Sequence, residues 1–202
     1  MLVANTQATF GFKHIGYISG SAVDYQMATG YIASANTTKI FRGDPVVRNT
    51  TTGKLEQGAD NTTTLAGVFD GCMYTPAGGI PQWSPYWPGA GAYSDPIAYV
   101  INAAGALFMA AALNTSIVTA NIGENVGYAI GTGNTTTGWS GATVDQSTLN
   151  TTNTLPFRVV APCTTNAGNF GGVGNGFDPS TAYGWCIVTF NNVGFKQLTG
   201  LA

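Results

Sequence analysis

An all-β fold, with a β-barrel or β-sandwich body, an extended N-terminal arm and long loops, is what this sequence predicts, on three observations. Short apolar runs rich in β-branched and aromatic residues recur around Tyr31, Ile40, Val46, Val68, Ile97, Leu107, Ile117, Val126, Val144, Val159 and Ile187. The runs are separated by Gly, Pro, Asn and Asp, which accept or preset the backbone angles of turns. Thr-rich tracts beginning at Asn36, Asn49, Asn61, Asn114, Asn134 and Asn150 punctuate the chain, Asn tolerating the left-handed region and Thr extending readily beside it. Runs spaced in this way describe a sandwich or barrel.

Residues 1–25 carry isolated aromatics, Phe10, Phe12, Tyr17 and Tyr25, among Gly and Ser, with neither a helical nor a strict strand period. They predict an arm that needs a partner surface, the competing reading being a terminal strand packed on its own domain. Residues 26–202 form the predicted body. Ile40–Val47 and Leu65–Tyr74 read as strands bracketing a polar connection. Within the first, Arg42-Gly43-Asp44 spells a receptor-binding tripeptide, but strand residues flank it and Pro45 follows. A turn or bulge is expected there, Gly43 relieving a steric constraint and Pro45 pushing Asp44 toward extended backbone.

Between Pro76 and Pro96 lie Trp83, Tyr86, Trp87 and Tyr93 together with Pro81, Pro85 and Pro88, too much proline for a central strand. A stiff surface loop is expected, its aromatics serving as interface anchors or folding back as a lid on the core. The uncharged run Ile97–Leu113 is 17 residues long, short of the ~20 that a membrane-spanning helix needs. Split at Asn102–Gly105, it reads as two strands, Ile97–Ile101 and Ala106–Ala111, joined in a buried hairpin; an Ala-rich helix over Ala103–Leu113 competes. The Gly-rich stretch Ala167–Gly176 lacks the Lys-Ser/Thr of a phosphate loop and reads as a projecting loop. Trp185–Phe190 is a final apolar strand whose edge another strand or another subunit must cover.

The 202 residues suit one main core, and only 8% are charged, against roughly 25% in ordinary soluble proteins. Seven Lys/Arg and nine Asp/Glu are scattered singly, so no basic face is present to neutralise phosphates, and nucleic acid is not an expected partner. With so few charges, adhesion would come from apolar burial and backbone pairing, which salt screens little. The opening Met1-Leu2-Val3-Ala4 runs straight into polar residues, so no secretory signal is read and synthesis in a cytoplasm is expected. On that reading the Asn-Thr-Thr and Asn-Thr-Ser sequons are connections between strands, not glycosylation sites. Cys72, Cys163 and Cys186 are odd in number and form no Cys-x-x-Cys pair, so buried free thiols are expected.

The succession Ile40-Phe41-Arg42-Gly43-Asp44-Pro45-Val46-Val47, Leu65–Tyr74, Ser84-Pro85-Tyr86-Trp87-Pro88, Ile97–Ile101, Ile122-Gly123-Glu124-Asn125 and Thr137–Gly141 before Val144-Asp145 closely resembles a family of bacteriophage proteins that decorate the capsid. Phe10-Gly11-Phe12-Lys13-His14-Ile15-Gly16 sits where such proteins carry a Gly-Phe-basic opening. The likeness runs through nearly the whole chain in order and departs from the pattern between Asn166 and Pro179. It implies a head cement or decoration role on the capsid surface of the virion. Its implied partners are the major capsid protein and further copies of the chain, a homotrimer first and a dimer second. Candidate contact residues are Phe10, Phe12, Tyr17, Trp83, Tyr86 and Trp87.

Little in the sequence suggests chemistry. His14 is the lone histidine and lies in the predicted arm. Gly138-Trp139-Ser140-Gly141-Ala142 resembles a nucleophile elbow, but Ala stands fifth and no histidine follows Ser140 to complete a triad. No catalytic, metal or cofactor residue is assigned. Two rival functions remain on the residues alone: a phage tail or head-fibre adhesin, with Trp83, Trp87 and the Thr/Asn loops as sugar platforms, and a cell-wall hydrolase using distant carboxylates.

Overall fold

The computed structural model describes residues 10–24, 27–89, 91, 93–115, 117–163 and 183–194. In chain order the strands are β1 (Lys13–Tyr17), β2 (Ala28–Tyr31), β3 (Ile40–Phe41), β4 (Pro45–Arg48), β5 (Leu55–Gln57), β6 (Gly67–Pro76) and β7 (Gln82–Ser84). They continue with β8 (Tyr86–Trp87), β9 (Tyr93–Ile101), β10 (Ala106–Ala111), β11 (Asn125–Ala129), β12 (Thr143–Asn150), β13 (Phe157–Pro162) and β14 (Trp185–Phe190). A 3-10 turn, Thr119–Asn121, the one helical element among the described residues, precedes β11. The protein is all-β.

Two antiparallel sheets make up most of the body. One has six strands in the order β1-β10-β14-β13-β11-β12; the other has five, β2-β9-β6-β4-β5, with β7 added to β6. A third, two-stranded sheet pairs β3 with β8. Both large sheets curl. Isolated bridges join Ile32 to Leu55 on one side and Ala112 to Val144 on the other, and no closed barrel forms among the described residues. Packed sheets of a sandwich are the architecture.

The six-stranded sheet owes its stability to an aromatic stack. Phe12 lies flat on Phe157 with ring centroids 4.4 Å apart, Phe157 stacks on Phe190 at 5.6 Å, and Phe108 meets Phe190 edge-on at 5.0 Å. All are buried, each contributing about 1.5–3 kcal/mol through removal of apolar surface from water. Every residue of β10 is buried, because Ala106, Phe108 and Ala110 point into this core while Leu107 and Met109 join a second apolar cluster with Ile187 and Cys163. That is why its sequence is a continuous apolar run, the mark of a strand covered on both faces.

Residues 10–17 are packed, not free. Phe12 donates its N–H to the Gly43 carbonyl at 3.0 Å, and β1 pairs with β10 along the sheet edge. For this stretch the structure shows the terminal strand and not the arm; residues 1–9 lie outside the described ones. The expected strands Ile97–Ile101 and Ala106–Ala111 are present, but they are not a hairpin. β9 pairs with β2 and β6, β10 with β1 and β14, so the intervening Asn102–Gly105 carries the chain from one sheet to the other. No helix forms over Ala103–Leu113, and among the described residues no helix is long and apolar enough to cross a membrane. The edge of β14 is covered by β10 and β13 of the same chain. The Gly-rich Ala167–Gly176 falls outside the described residues.

Candidate interface surface

The strand–turn–strand around Asp44 anchors the junction of the sheets. Gly43 adopts φ +93°, a left-handed angle favouring glycine, and its N–H reaches the Phe69 carbonyl at 2.7 Å. This turn drives Asp44 inward until it is fully buried. Its carboxylate accepts the Phe41 N–H at 2.8 Å, Gln57 Nε2 at 2.7 Å and the Ser140 hydroxyl at 2.5 Å. Burial nonetheless raises its pKa above the ordinary carboxylate value, the three donors opposing that shift. The tripeptide therefore offers no carboxylate outward, and Ser140, itself buried, is a structural hydroxyl that also accepts the Ala142 N–H at 2.8 Å. Arg42 pairs with Asp70 at 2.8 Å and lies 5.1 Å from the centre of the Trp139 ring.

The six expected contact residues separate into buried and accessible ones. Trp87 is fully buried in the second core, edge-on to Tyr74 and Tyr93, with its indole N–H donated to the Asn36 carbonyl at 3.1 Å. Phe12 is equally enclosed. Neither presents surface to another chain, which corrects their assignment as contacts: the Pro-rich segment forms two short edge strands, and β8 folds its tryptophan inward against β3 as a lid. Tyr86 is half-buried, stacked on Phe41 at 5.4 Å. Phe10 meets Trp185 edge-on at 5.3 Å, and Tyr17 donates its hydroxyl to Asp24 at 2.5 Å. Trp83 alone among the six is an exposed large side chain, at 54%.

Trp83 ends an apolar row that the sequence reading missed. Register places Tyr31 of β2 opposite Ile97 of β9, Ile97 opposite Met73 of β6, and Met73 opposite Trp83 of β7. Directly opposed residues share a face, so the row crosses three strand spacings, roughly 14 Å. Tyr31 is 63% exposed, and Ile80 on the connection between β6 and β7 is 79% exposed. The Trp83 ring lies over Gly71, where an added Cβ would stand 2.9 Å from Cζ2, so the absence of a side chain at 71 is what lets the indole lie flat. The alternation in Ile97-Ala98-Tyr99-Val100 carries the signal: Ala98 and Val100 face the core, leaving Ile97 and Tyr99 for the outer face.

Among the described residues no cluster of His, Cys, Asp and Glu is arranged to hold a metal. The three cysteines are free and buried, and burial pushes the thiols of Cys72 and Cys163 up to about 12 and about 11. Such thiols stay protonated and unreactive at neutral pH. No protein-family model, no curated protein and no solved structure matches this chain.

Proposed function

We propose that this protein is a structural component of a tailed-phage virion, a cement or decoration protein that binds the outer surface of the head and bridges neighbouring major capsid subunits. The observation that carries the reading is the exposed apolar end of the five-stranded sheet, Trp83 on the edge strand β7 with Ile80 on the connection before it, in a chain with few charges. A large aromatic on a rigid edge buries much area at small entropic cost. The order of motifs resembling capsid-decorating proteins supports the same role. Each contact is modest, but icosahedral symmetry repeats it across the shell. The chain acts by adhesion without turnover or cofactor, as a homotrimer or, second, a dimer.

Co-sedimentation of the purified protein with heads lacking their decoration layer tests this. Saturable binding that varies little between low and high salt is expected, and Trp83→Ala is expected to abolish it with melting unchanged. Absence of binding, or a steep loss with salt, contradicts the proposed apolar contact.

A further inference from the structure

At the opposite end of the apolar row from Trp83, the surface is recessed. Two adjoining depressions of about 420 and about 350 Å³ meet at Tyr31 and Lys54, forming an open groove between β2 and the turn that joins β4 to β5. Its chemistry differs from the rest of the chain. Arg48 and Lys54, two of only seven basic residues, both line it, and no described acidic side chain does. Neither forms an ion pair among the described residues. The nearby Glu56 is opposite Val47, on the other face of β5 from Leu55, and accepts a hydrogen bond from Asn49.

The basic wall is preformed. Asn49 Oδ1 accepts the N–H groups of Thr51 and Thr52 at 3.0 and 2.9 Å, the Gly53 N–H closes the turn on the Asn49 carbonyl at 2.8 Å, and Arg48 Nη1 is held by the Gly53 carbonyl at 3.0 Å. The other guanidinium N–H groups of Arg48 have no hydrogen-bond partner among the described residues. On the facing wall Tyr31, Tyr99 and Thr29 line the groove, while the Thr52 hydroxyl is spent inside the turn on Asn49 and the Lys54 N–H.

We infer that this groove binds an anionic polysaccharide, a chain of sugars carrying carboxylate or sulfate groups. The C–H face of a pyranose packs on a tyrosine ring while its hydroxyls meet the Thr29 side chain, and its acidic substituent accepts charge-assisted hydrogen bonds from Arg48 and Lys54. An open trough admits an extended polymer. An acidic peptide shares the charge but would gain most by adding a strand to β2. The end of that edge is already taken, because Ile32 bridges to Leu55, whose side chain also covers the face of β2 at Gly30. Recognition through side chains alone favours the sugar. The site goes beyond the capsid contact and does not depend on it.

The test is titration of the intact protein, followed by NMR, with oligogalacturonate, a heparin-derived oligosaccharide, neutral maltohexaose and poly-glutamate. Binding of one or both acidic sugars is expected, weakening as salt rises, with maltohexaose inert; which of the two binds distinguishes carboxylate from sulfate. Arg48→Gln with Lys54→Gln should lower affinity at least about tenfold, as should Tyr31→Ala, with unchanged melting. All three are surface changes that leave the cores intact. Failure of both acidic sugars to bind, equal binding by the double variant, or preference for poly-glutamate overturns the inference.

Discussion

The two large sheets are built from the same kinds of residue, yet one is consumed by packing and the other keeps a face in reserve. In the six-stranded sheet β10 is buried on both sides, and its aromatics are spent on Phe12, Phe108, Phe157 and Phe190. In the five-stranded sheet Trp87, Tyr74 and Val100 fill the inner face, while Tyr31, Ile97, Met73 and Trp83 cross the outer one. The difference is that β9 alternates and β10 does not. Apolar side chains left in register across a sheet face make an exposed patch, the feature that sets this sheet apart, and it lies opposite the second core.

The sharpest break of this contrast is removal of the stack. Phe157→Ala should cost about 3–5 kcal/mol in chemical denaturation, because Phe157 touches Phe12, Phe108, Tyr128 and Phe190 and its loss leaves a cavity that the sheet fills poorly. Val68 and Ile101 from the five-stranded sheet belong to the same core, so a single cooperative transition is expected; two separate transitions would show the sheets to be independent.

Next in size is the junction. Asp44→Ala should cost about 3 kcal/mol, since it strands the Phe41 N–H, Gln57 and Ser140, whereas Asp44→Asn keeps most partners and should cost about 1 kcal/mol. Equal losses would show that charge, and not the hydrogen-bond count, matters at that site. Trp83→Ala should change stability by no more than about 0.5 kcal/mol, as for surface positions generally. A large drop in melting temperature would place Trp83 with the packed residues instead.

The smallest effect is with pH. His14, beside Tyr17 and Phe108 on the six-stranded side, is held below its ordinary 6.5 by burial, with the Gly16 carbonyl, Asp24 and Asp70 opposing. Below 6.5 the unfolded chain takes up the proton first, so this contribution is present at higher pH and is lost as pH falls through the folded value. His14→Gln should flatten the melting profile just below pH 6.5; an unchanged profile would assign the slope to other groups.

Strand identity was legible in most apolar runs bounded by turn residues: Ile40–Val47, Leu65–Tyr74 and Trp185–Phe190 all contain strands, and Ala106–Ala111 is β10 from end to end, whereas the run around Ile117 forms no strand and leads into the 3-10 turn. Partners were not, because a run of alternating or continuous apolar residues says which faces are covered and nothing of which strand lies alongside. Thus Asn102–Gly105 has the composition of a hairpin turn and serves as a crossing between sheets. Phe12 and Trp87 were misplaced for a related reason. Flanking Gly or Pro marks irregular backbone, but their burial depends on Phe157 and Tyr74, distant in sequence. The position of Trp83 off any central strand was legible from Pro81 and Pro85, and it lies exposed on β7; Tyr31, Arg48 and Lys54 were missed because single residues at strand ends carry no local signal of a groove.

The central claim is adhesion to a phage head, and antibody-gold labelling of intact virions with this chain as antigen tests it most directly. Dense, regular label over heads, lost when Trp83→Ala replaces the native chain, is the predicted result. Label confined to tails, or none on virions, would contradict it.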